Sequence, residues 1–188
     1  MKRILLFLMA AVLLCACHHK KAPQKVEPVN YVVNVTECIS SDNADMVAKY
    51  GDYTWYETQV LLHNFLDEEY AGIDEATNVF QIVDSTNGGF DTKVIKYIHT
   101  TSGNTIEETP GFWIEDFKLD SIAITFEHSL DIINQVNCVK PHSRHIVLRN
   151  PIGPNKVNGQ WVYGNMQSQL WVDAITGIVV DSNPAFPQ

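Results

Sequence analysis

Two alternating runs on either side of an Asn-Gly turn constrain the fold of this chain most. Residues 78–84 read NVFQIVD and residues 92–100 read TKVIKYIHT, with STNGG between them. Alternation with a period of two is typical of a strand with one buried face. Asn-Gly between two such runs is a strong hairpin signal, because both turn residues accept positive φ. The segment therefore predicts an antiparallel hairpin, and with it a fold built on antiparallel sheet.

The rest of the chain predicts two helices and several further strands. Thr54 and Glu57 have the spacing of a capping box, so residues 54–70 are predicted to be a helix that ends before Gly72. Thr125 has the position of an N-cap for a second helix that reaches about residue 137. The other predicted elements are strands at 30–35, 111–119, 145–149 and 160–164, a loop at 40–53 with at most one helical turn, and two short strands within 169–180 around a turn at Asp173–Gly177.

The order of these predicted elements indicates the fold class. A strand, a helix and three strands are followed by a second helix and three more strands. We therefore expect an α+β fold, with helices on one face of an antiparallel sheet, built as two tandem helix-plus-strands units. The expected division places an N-terminal α+β unit at residues 30–116 and a second unit at residues 117–188.

The N-terminus has the features of a secretory signal. Two bases precede an almost wholly apolar run, Ile4–Ala16. As a helix this run would be ~20 Å long, which is short of the roughly 20 residues that a membrane span needs. Leu14-Cys15-Ala16-Cys17 resembles the bacterial lipobox, and the resemblance implies removal of residues 1–16 and acylation of Cys17. The alternative is an ordinary signal peptide cut elsewhere, with Cys17 as a spare thiol.

The residues after the signal bear on the location of the protein. Residues 17–29 contain two prolines and are predicted to be an extended tether. Acyl chains on Cys17 would anchor the chain to a membrane, since each buried CH₂ contributes ~0.8 kcal/mol. The chain is similar to small lipoproteins of Bacteroidota, in which surface export is associated with acidic residues after the lipidated cysteine. Here His18-His19-Lys20-Lys21 follows, so we expect the cell envelope, at the periplasmic face of the outer membrane.

The charge of the chain excludes one class of partner. The sequence has 13 Lys and Arg against 22 Asp and Glu, a net charge of −9, and loss of residues 1–16 would lower it to −11 because two bases leave with them. Nucleic-acid binding needs a basic surface that neutralises phosphates. We therefore expect a membrane and a protein as partners, and no nucleic acid.

The cysteines predict a disulfide. Removal of Cys15 and acylation of Cys17 would leave Cys38 and Cys138. In an oxidising compartment a bond between these two would close a loop of about 100 residues, and it would stabilise the fold by up to ~4.7 kcal/mol. Two buried free thiols are the alternative. The chain has no Cys-x-x-Cys, so neither a redox motif nor a zinc knuckle is indicated.

The last third of the chain resembles the PepSY-like domains of secreted bacterial proteins. The resemblance covers residues 117–182 and rests on three segments, ITFEHSLDIINQ, HIVLRNPIGP and LWVDAITGIVV. It implies a PepSY-like unit at residues 117–188 and a diverged copy at residues 30–116, as in tandem folds resembling β-lactamase-inhibitory proteins. PepSY units are found beside peptidases and are thought to restrain them. The resemblance therefore implies protein binding or inhibition, and it carries over no catalytic residue.

The sequence shows no cluster that indicates an active site. His142 and His145 form an HxxH pair, but the pair enters a predicted strand and lacks the glutamate of a metalloprotease motif. Neither a GxSxG motif nor a Gly-rich phosphate loop is present. We therefore expect no enzyme, no catalytic residue, no metal and no cofactor. A hydrolase stays open as a third hypothesis, because two carboxylates can converge in space.

Three aromatic residues form a candidate binding face. Trp161 and Tyr163 alternate along one predicted strand and so share a face, and Trp171 lies on the next predicted strand. If exposed, they would suit a protein or sugar ligand; otherwise they form the core beneath the second helix. The favoured function is a non-catalytic, lipid-anchored envelope protein that binds proteins and inhibits or assists a secreted hydrolase. The alternative is a periplasmic binding module for a carbohydrate or small ligand.

Overall fold

The structure, a computed structural model, describes residues 32–84, 91–111, 118–136, 139–150, 158–165 and 168–182. The predicted signal peptide, Cys17 and the predicted tether lie outside these residues. Along the described chain the elements are α1 (Val35–Tyr50), β1 (Thr54–Leu62), β2 (Ile73–Asp84), β3 (Asp91–Thr100), β4 (Gly103–Pro110), α2 (Phe126–Gln135), β5 (His145–Arg149), β6 (Gln160–Gly164), β7 (Gln169–Asp173) and β8 (Val179–Ser182).

All of these strands belong to one antiparallel sheet. The sheet has eight strands in the order β4-β3-β2-β1-β5-β6-β7-β8, so β4 and β8 form its edges. The central pair, β1 with β5, is in register from Glu57 opposite Arg149 to Leu61 opposite His145. This pair joins the strands that precede α2 to the strands that follow it.

The expected fold class is wrong. The sequence predicts an α+β fold of two tandem helix-plus-strands units, whereas the structure is dominated by a single continuous sheet, with two helices in the described residues. The physical reason is the β1–β5 ladder, because its pairing crosses the expected boundary after residue 116. Backbone pairing along the whole sheet, and not a pair of separate helix-and-strand layers, organises the molecule.

Helix α1 covers most of the predicted loop at residues 40–53 and the end of the predicted strand at residues 30–35. Asn34 caps the helix, because its side chain accepts a hydrogen bond from the backbone N–H of Glu37 at 3.1 Å. The buried positions of the helix are Val35, Ile39, Asp42 and Met46. Their spacing is that of one helical face. An aspartate in the middle of this face interrupts the apolar periodicity, which explains why the pattern does not predict a helix.

Strand β1 covers much of the segment predicted to be a helix at residues 54–70. Residues 55–58 are all buried; from Thr58 to Leu62 the burial alternates, because Thr58, Val60 and Leu62 are buried whereas Gln59 is exposed and Leu61 is half-buried. The segment TWYETQVLL is rich in β-branched and aromatic residues, which favour strands. Pairing with β2 on one side and β5 on the other satisfies its backbone. The capping-box spacing of Thr54 and Glu57 is therefore coincidental.

The predicted pairing of the two hairpin strands and the second helix are confirmed, while the Asn-Gly turn itself lies outside the described residues. The runs NVFQIVD and TKVIKYIHT lie in β2 and β3, which pair with Asn78 opposite Tyr97. Thr125 caps α2, because its hydroxyl accepts a hydrogen bond from the backbone N–H of His128 at 3.2 Å. The local signals in both segments agree with the tertiary packing, so propensity and burial favour the same structure.

The later strands are also where the sequence places them. The segments HIVLR and QWVYG are β5 and β6. The turn between β7 and β8 contains Gly177 at a φ of 73°, a conformation that favours glycine. Most of the strand predicted at residues 111–119 lies outside the described residues.

Both helices pack on the sheet and share one hydrophobic core with it. The ring of Phe126 in α2 meets the ring of Trp161 in β6 edge to face, with centroids 5.6 Å apart. The two helices also touch, since the hydroxyl of Thr36 donates to the carboxylate of Glu127. The first helix therefore covers the β4 half of the sheet and the second covers the β8 half, which is consistent with the contacts of α1 with β1 and β2 and of α2 with β7.

Candidate functional site

A cluster of buried polar side chains lies beneath α1. Nδ2 of Asn78 in β2 donates to Oδ2 of Asp42 at 2.6 Å, and Nε2 of His99 in β3 lies 2.8 Å from the same oxygen. Thr58 in β1 donates to Oδ1 of Asn78 at 2.5 Å. We call these four residues, Asp42, Thr58, Asn78 and His99, the Asp42 cluster. It links the helix to three neighbouring strands, and each of its members is buried.

The electrostatics of the cluster favour a protonated histidine. The hydrogen bond to Asp42 raises the pKa of His99 to about 10, and a contact with the Cys38 thiol adds to the rise, while burial opposes it. At neutral pH the imidazolium of His99 therefore stands beside the carboxyl group of Asp42. Such a pair is favourable in the interior only when further hydrogen bonds satisfy it, and Asn78 supplies one to the shared oxygen.

The outer end of the cluster opens into a groove. A groove of ≈ 280 Å³ lies between the first turn of α1 and the start of β4, and Cys38 and His99 both contribute to its wall. Other lining residues include Asn34, Glu37, Ser41 and Asn104. Cys38 is half-buried and free of any disulfide within the described residues. The groove thus gives solvent access to a thiol that touches a charged imidazole.

Beside the groove, β4 forms an exposed edge of the sheet. Seven of its eight residues are exposed, and Gly103 is half-buried. The strand pairs with β3 along its whole length, and it is the terminal strand of the sheet. An edge strand presents a row of backbone N–H and C=O groups that another chain can pair with. The β4 edge is therefore a surface on which an extended segment could be added.

The register of the hairpin shows which backbone groups of β4 point outward. The N–H of Gly111 donates to the carbonyl of Thr92 at 2.9 Å, so this opposed pair is hydrogen-bonded. In an antiparallel ladder hydrogen-bonded pairs alternate with non-hydrogen-bonded pairs. Thr105, Glu107 and Thr109 consequently bond to β3, whereas the outward N–H groups are those of Asn104, Ile106 and Glu108. Pro110 occupies the next outward-facing position of the same alternation, and it has no N–H to offer there.

The candidate aromatic face is part of the core. Trp161 and Tyr163 are both fully buried. The hydroxyls of Tyr163 and Ser129 in α2 are 2.5 Å apart, and Nε1 of Trp161 donates to the carbonyl of Ile124 at 2.9 Å. Of the two alternatives, the structure thus shows the core beneath the second helix and corrects the proposal of an exposed binding face for these two residues.

Trp171 is separate from the other two aromatic residues. It lies opposite Val162 on the neighbouring strand, whereas Trp161 lies opposite Val172. Because successive side chains of a strand alternate between faces, Trp171 is on the opposite face of the sheet from Trp161. It is half-buried, and its Nε1 donates to the side chain of Gln169 at 3.0 Å. The three residues therefore do not form one surface.

The remaining predicted site residues fall in different places. Cys17 and Cys138 lie outside the described residues, so lipidation and the Cys38–Cys138 disulfide stay predictions. His142 stacks on Phe65 with ring centroids 3.8 Å apart, and its Nδ1 is 3.0 Å from Asp67. In the described part of the chain no group of three or more His, Cys, Asp and Glu side chains is arranged to hold a metal ion. Neither described helix is long and apolar enough to cross a membrane.

The comparisons with known proteins add no identification. No family model, no curated protein and no solved structure matches the chain. The PepSY-like resemblance therefore stays a prediction.

Proposed function

We propose that this chain is a non-catalytic, lipid-anchored protein of the cell envelope that binds another protein by adding an extended segment of it to β4. The exposed β4 edge is the observation that carries the proposal. In strand addition the main-chain hydrogen bonds give affinity, and alternate side chains give specificity. The proposal includes the expected partner class, a secreted hydrolase that the protein inhibits or assists, which rests on the PepSY-like resemblance.

The side chains of β4 favour a heterologous partner over a second copy of the chain. Glu107 and Glu108 lie next to each other on the strand and both are exposed. Two antiparallel copies of β4 would bring acidic side chains together, and like charges on an edge are one way in which proteins avoid pairing with themselves. A segment with basic residues would gain from the same charges. We therefore propose a basic extended segment as the ligand.

The groove beside β4 supports the same mode of binding. His99, opposite Asn104 across the β3–β4 ladder, contributes to the groove. The side chains of Asn104, Ile106 and Glu108 point to the helix side of the sheet, since the hydroxyl of Tyr50 in α1 donates to Glu108 at 2.9 Å. A segment paired with β4 would thus place every second side chain along the helix side, near this groove.

Lipid anchoring through Cys17 is the part of the proposal that concerns location. Residues 17–29 would separate the membrane from the first described residues. A Cys17→Ser variant would keep the fold and lose the attachment, because no acyl chain could be added. We expect wild-type protein in the membrane fraction of cells and Cys17→Ser protein in the soluble fraction. Cys17→Ser protein that has lost residues 1–16 and still stays with the membranes after a high-salt wash would refute lipid anchoring.

The described residues do not favour the alternative of a carbohydrate or small-ligand module. That alternative depends on an open surface of tryptophans, and Trp161 and Tyr163 are fully buried. A stacked sugar would require α2 to leave the sheet. We therefore propose protein binding alone.

The experiment is a comparison of two substitutions at one position of β4. Ile106→Pro removes an outward N–H without touching the β3 ladder, and Pro110 shows that this register accommodates proline. Ile106→Thr keeps the N–H and the β-branched shape, and it is the matched control. After crosslinking in the native envelope, we expect wild type and Ile106→Thr to retain a partner that Ile106→Pro loses. Equal recovery by all three proteins, or recovery by none, would refute strand addition.

A further inference from the structure

The exposed strand β4 presents different side chains to the two sides of the sheet. Asn104, Ile106 and Glu108 point to the helix side, whereas Thr105 and Glu107 point to the other side. All five are exposed. The three helix-side residues also carry the outward N–H groups, so a residue paired with one of them would place its own side chain on the helix side.

Helix α1 runs beside β4 in the same direction and leaves a trough between them. Asn104 shares the groove of ≈ 280 Å³ with the first turn of α1, and Glu108 accepts a hydrogen bond from Tyr50 in its last turn at 2.9 Å. Between these two ends, Ile106 lies opposite Tyr97 of β3. The helix-side row of β4 therefore forms one wall of this space, which we call the β4 trough.

The middle of the β4 trough is apolar. Ile106 is 50% exposed, while Tyr97 opposite it is only 5% exposed. Side chains that stand directly opposite on one face of an antiparallel pair touch each other. An apolar side chain on an added strand would cover the exposed part of Ile106, and the burial of this surface favours an apolar residue at the centre of the segment.

The end of the trough at the first turn of α1 offers a carboxylate. Glu37 is exposed and lines the same groove as Asn104. His99 also lines the groove, but Asp42 lies 2.8 Å from its ring and balances its charge. A long basic side chain placed opposite Asn104 would extend along this groove towards the Glu37 carboxylate.

At the other end of the trough, Glu108 differs from its neighbour Glu107. Glu107 lies opposite Lys96 across the ladder, and opposite charges at such positions attract and balance each other. Glu108 lies opposite Ile95, which has no charge. The helix side of β4 therefore offers the less balanced of the two carboxylates to a basic side chain.

Two lysines lie on the helix side near this end. The ammonium group of Lys49 is 2.7 Å from Asp45, its partner within α1. Lys93 is on β3, opposite Pro110 and beyond Glu108 along the strand. A segment on the open side of β4 would bring its basic side chain to Glu108 from the side away from both lysines.

We infer that the segment added to β4 has the pattern basic–x–apolar–x–basic, in which x is any residue. The apolar residue pairs with Ile106, and the two basic residues pair with Asn104 and Glu108. Alternate residues of a strand lie about 7 Å apart on one side, so the three side chains follow the two acidic ends and the apolar middle of the trough. The pattern depends on the proposed strand addition and specifies its ligand.

The test compares two synthetic peptides of identical composition and charge. The alternating peptide is Thr-Lys-Thr-Ile-Thr-Lys-Thr, and the shifted peptide is Thr-Thr-Lys-Ile-Lys-Thr-Thr, which turns both lysines to the other side when its isoleucine pairs with Ile106. Both peptides carry a fluorescent label, and fluorescence anisotropy with the full mature protein in detergent and low-salt buffer measures each Kd. We expect the alternating peptide to bind at least about fivefold more tightly than the shifted one.

Three glutamate substitutions assign this preference to the trough. Glu37→Gln and Glu108→Gln should each weaken binding of the alternating peptide about twofold to fivefold, as expected for the loss of an exposed ion pair. Glu107→Gln is the matched control, because it removes an adjacent charge from the other side of β4. The control should keep the preference for the alternating peptide or increase it, since only the shifted peptide places lysines beside Glu107.

Equal affinity of the wild type for the two peptides, or no binding of either, would overturn the pattern. A Glu107→Gln variant that loses the preference as fully as Glu108→Gln would overturn it too. Ile106→Pro separates this failure from failure of strand addition. If Ile106→Pro loses both peptides while the wild type binds them equally, strand addition stands and only the pattern is wrong. If Ile106→Pro binds both as tightly as the wild type does, the peptides are not added to β4, and both proposals fail.

Discussion

Nε2 of His99 lies 2.8 Å from Oδ2 of Asp42, and the two side chains are only 10% and 5% exposed. This contact joins strand β3 to the middle of helix α1. Asn78 in strand β2 donates a hydrogen bond to the same carboxylate oxygen. The Asp42 cluster therefore fixes the position of α1 over the β4 half of the sheet, beside the exposed edge that we propose as the binding surface.

The first prediction concerns the pH dependence of stability. The hydrogen bond to Asp42 raises the pKa of His99 from 6.5 to about 10. A group whose folded pKa is raised contributes stability that is complete below its unfolded pKa and is lost as the pH rises towards the folded value. We therefore expect the free energy of unfolding to fall by at least about 1.4 kcal/mol, the equivalent of one pKa unit, between pH 6.5 and pH 9.5.

Urea unfolding of the wild type and of His99→Gln across this range checks the prediction. The variant should show a smaller fall, because the titrating group is absent. A wild-type stability that is constant from pH 6.5 to 9.5 would show that the Asp42 cluster does not hold His99 in its protonated form.

The second prediction concerns the removal of Asp42. An Asp42→Ala variant leaves a buried imidazolium and the amide of Asn78 without their shared acceptor. Breaking one side of a buried ion pair costs about 3–5 kcal/mol. The matched control is Glu37→Gln, an exposed acid in the first turn of the same helix, where the charge contributes about 0.3–1 kcal/mol. Equal losses for the two variants in urea unfolding would mean that the cluster contributes no more than a surface charge.

The third prediction separates two tryptophans. Trp161 is fully buried against Phe126, whereas Trp171 is half-buried on the other face of the sheet. Trp161→Ala should lower the free energy of unfolding by about 3–5 kcal/mol, and Trp171→Ala by about 1–2 kcal/mol in proportion to its smaller burial. Thermal or urea unfolding of both variants measures the difference. A mild effect of Trp161→Ala would restore the aromatic face as a candidate binding surface.

The fourth prediction concerns the β7–β8 turn. Gly177 and Gly51 both have a φ of 73°, but a Cβ on Gly177 would lie 3.1 Å from Cδ1 of Ile132, while a Cβ on Gly51 would meet nothing within 4 Å. Gly51→Ala therefore measures the cost of the left-handed backbone alone, about 1–2 kcal/mol. Gly177→Ala adds crowding against α2 and should be the more destabilising of the two. The reverse order in urea unfolding would show that Ile132 yields without cost.

The segments that the sequence predicts correctly are those in which local signals and tertiary packing agree. The alternating strands β2 and β3, the Thr125 cap and the closing turn at Gly177 each have a local physical cause. Two of the errors in the first half, the loop expected at residues 40–53 and the helix expected at residues 54–70, have a tertiary cause; the sequence also does not predict β4. Residues 54–62 pair on both sides with other strands, which outweighs a capping-box spacing. Such tertiary override of local propensity is general.

The Asp42 cluster could not be predicted from the sequence by pattern alone. Asp42 and His99 are 57 positions apart; Asp42 follows two serines, and His99 follows Ile98 in an alternating run. The one available signal is the spacing of Val35, Ile39, Asp42 and Met46, which becomes a helical face only if an aspartate is accepted inside the core. Buried acids are rare unless they are paired, so the pattern argues against the helix until the partner histidine is known. The edge position of β4 depends on the strand order and is equally beyond local signals.

The most direct test of the proposed function is the amide hydrogen exchange of Ile106, measured by NMR in the free protein and with the crosslinked partner or its segment bound. Strand addition at β4 predicts fast exchange in the free protein and strong protection in the complex, while the amides of Thr105 and Glu107, which bond to β3, stay protected in both. An Ile106 amide that is already protected in the free protein, or that gains no protection in the complex, would contradict strand addition at β4.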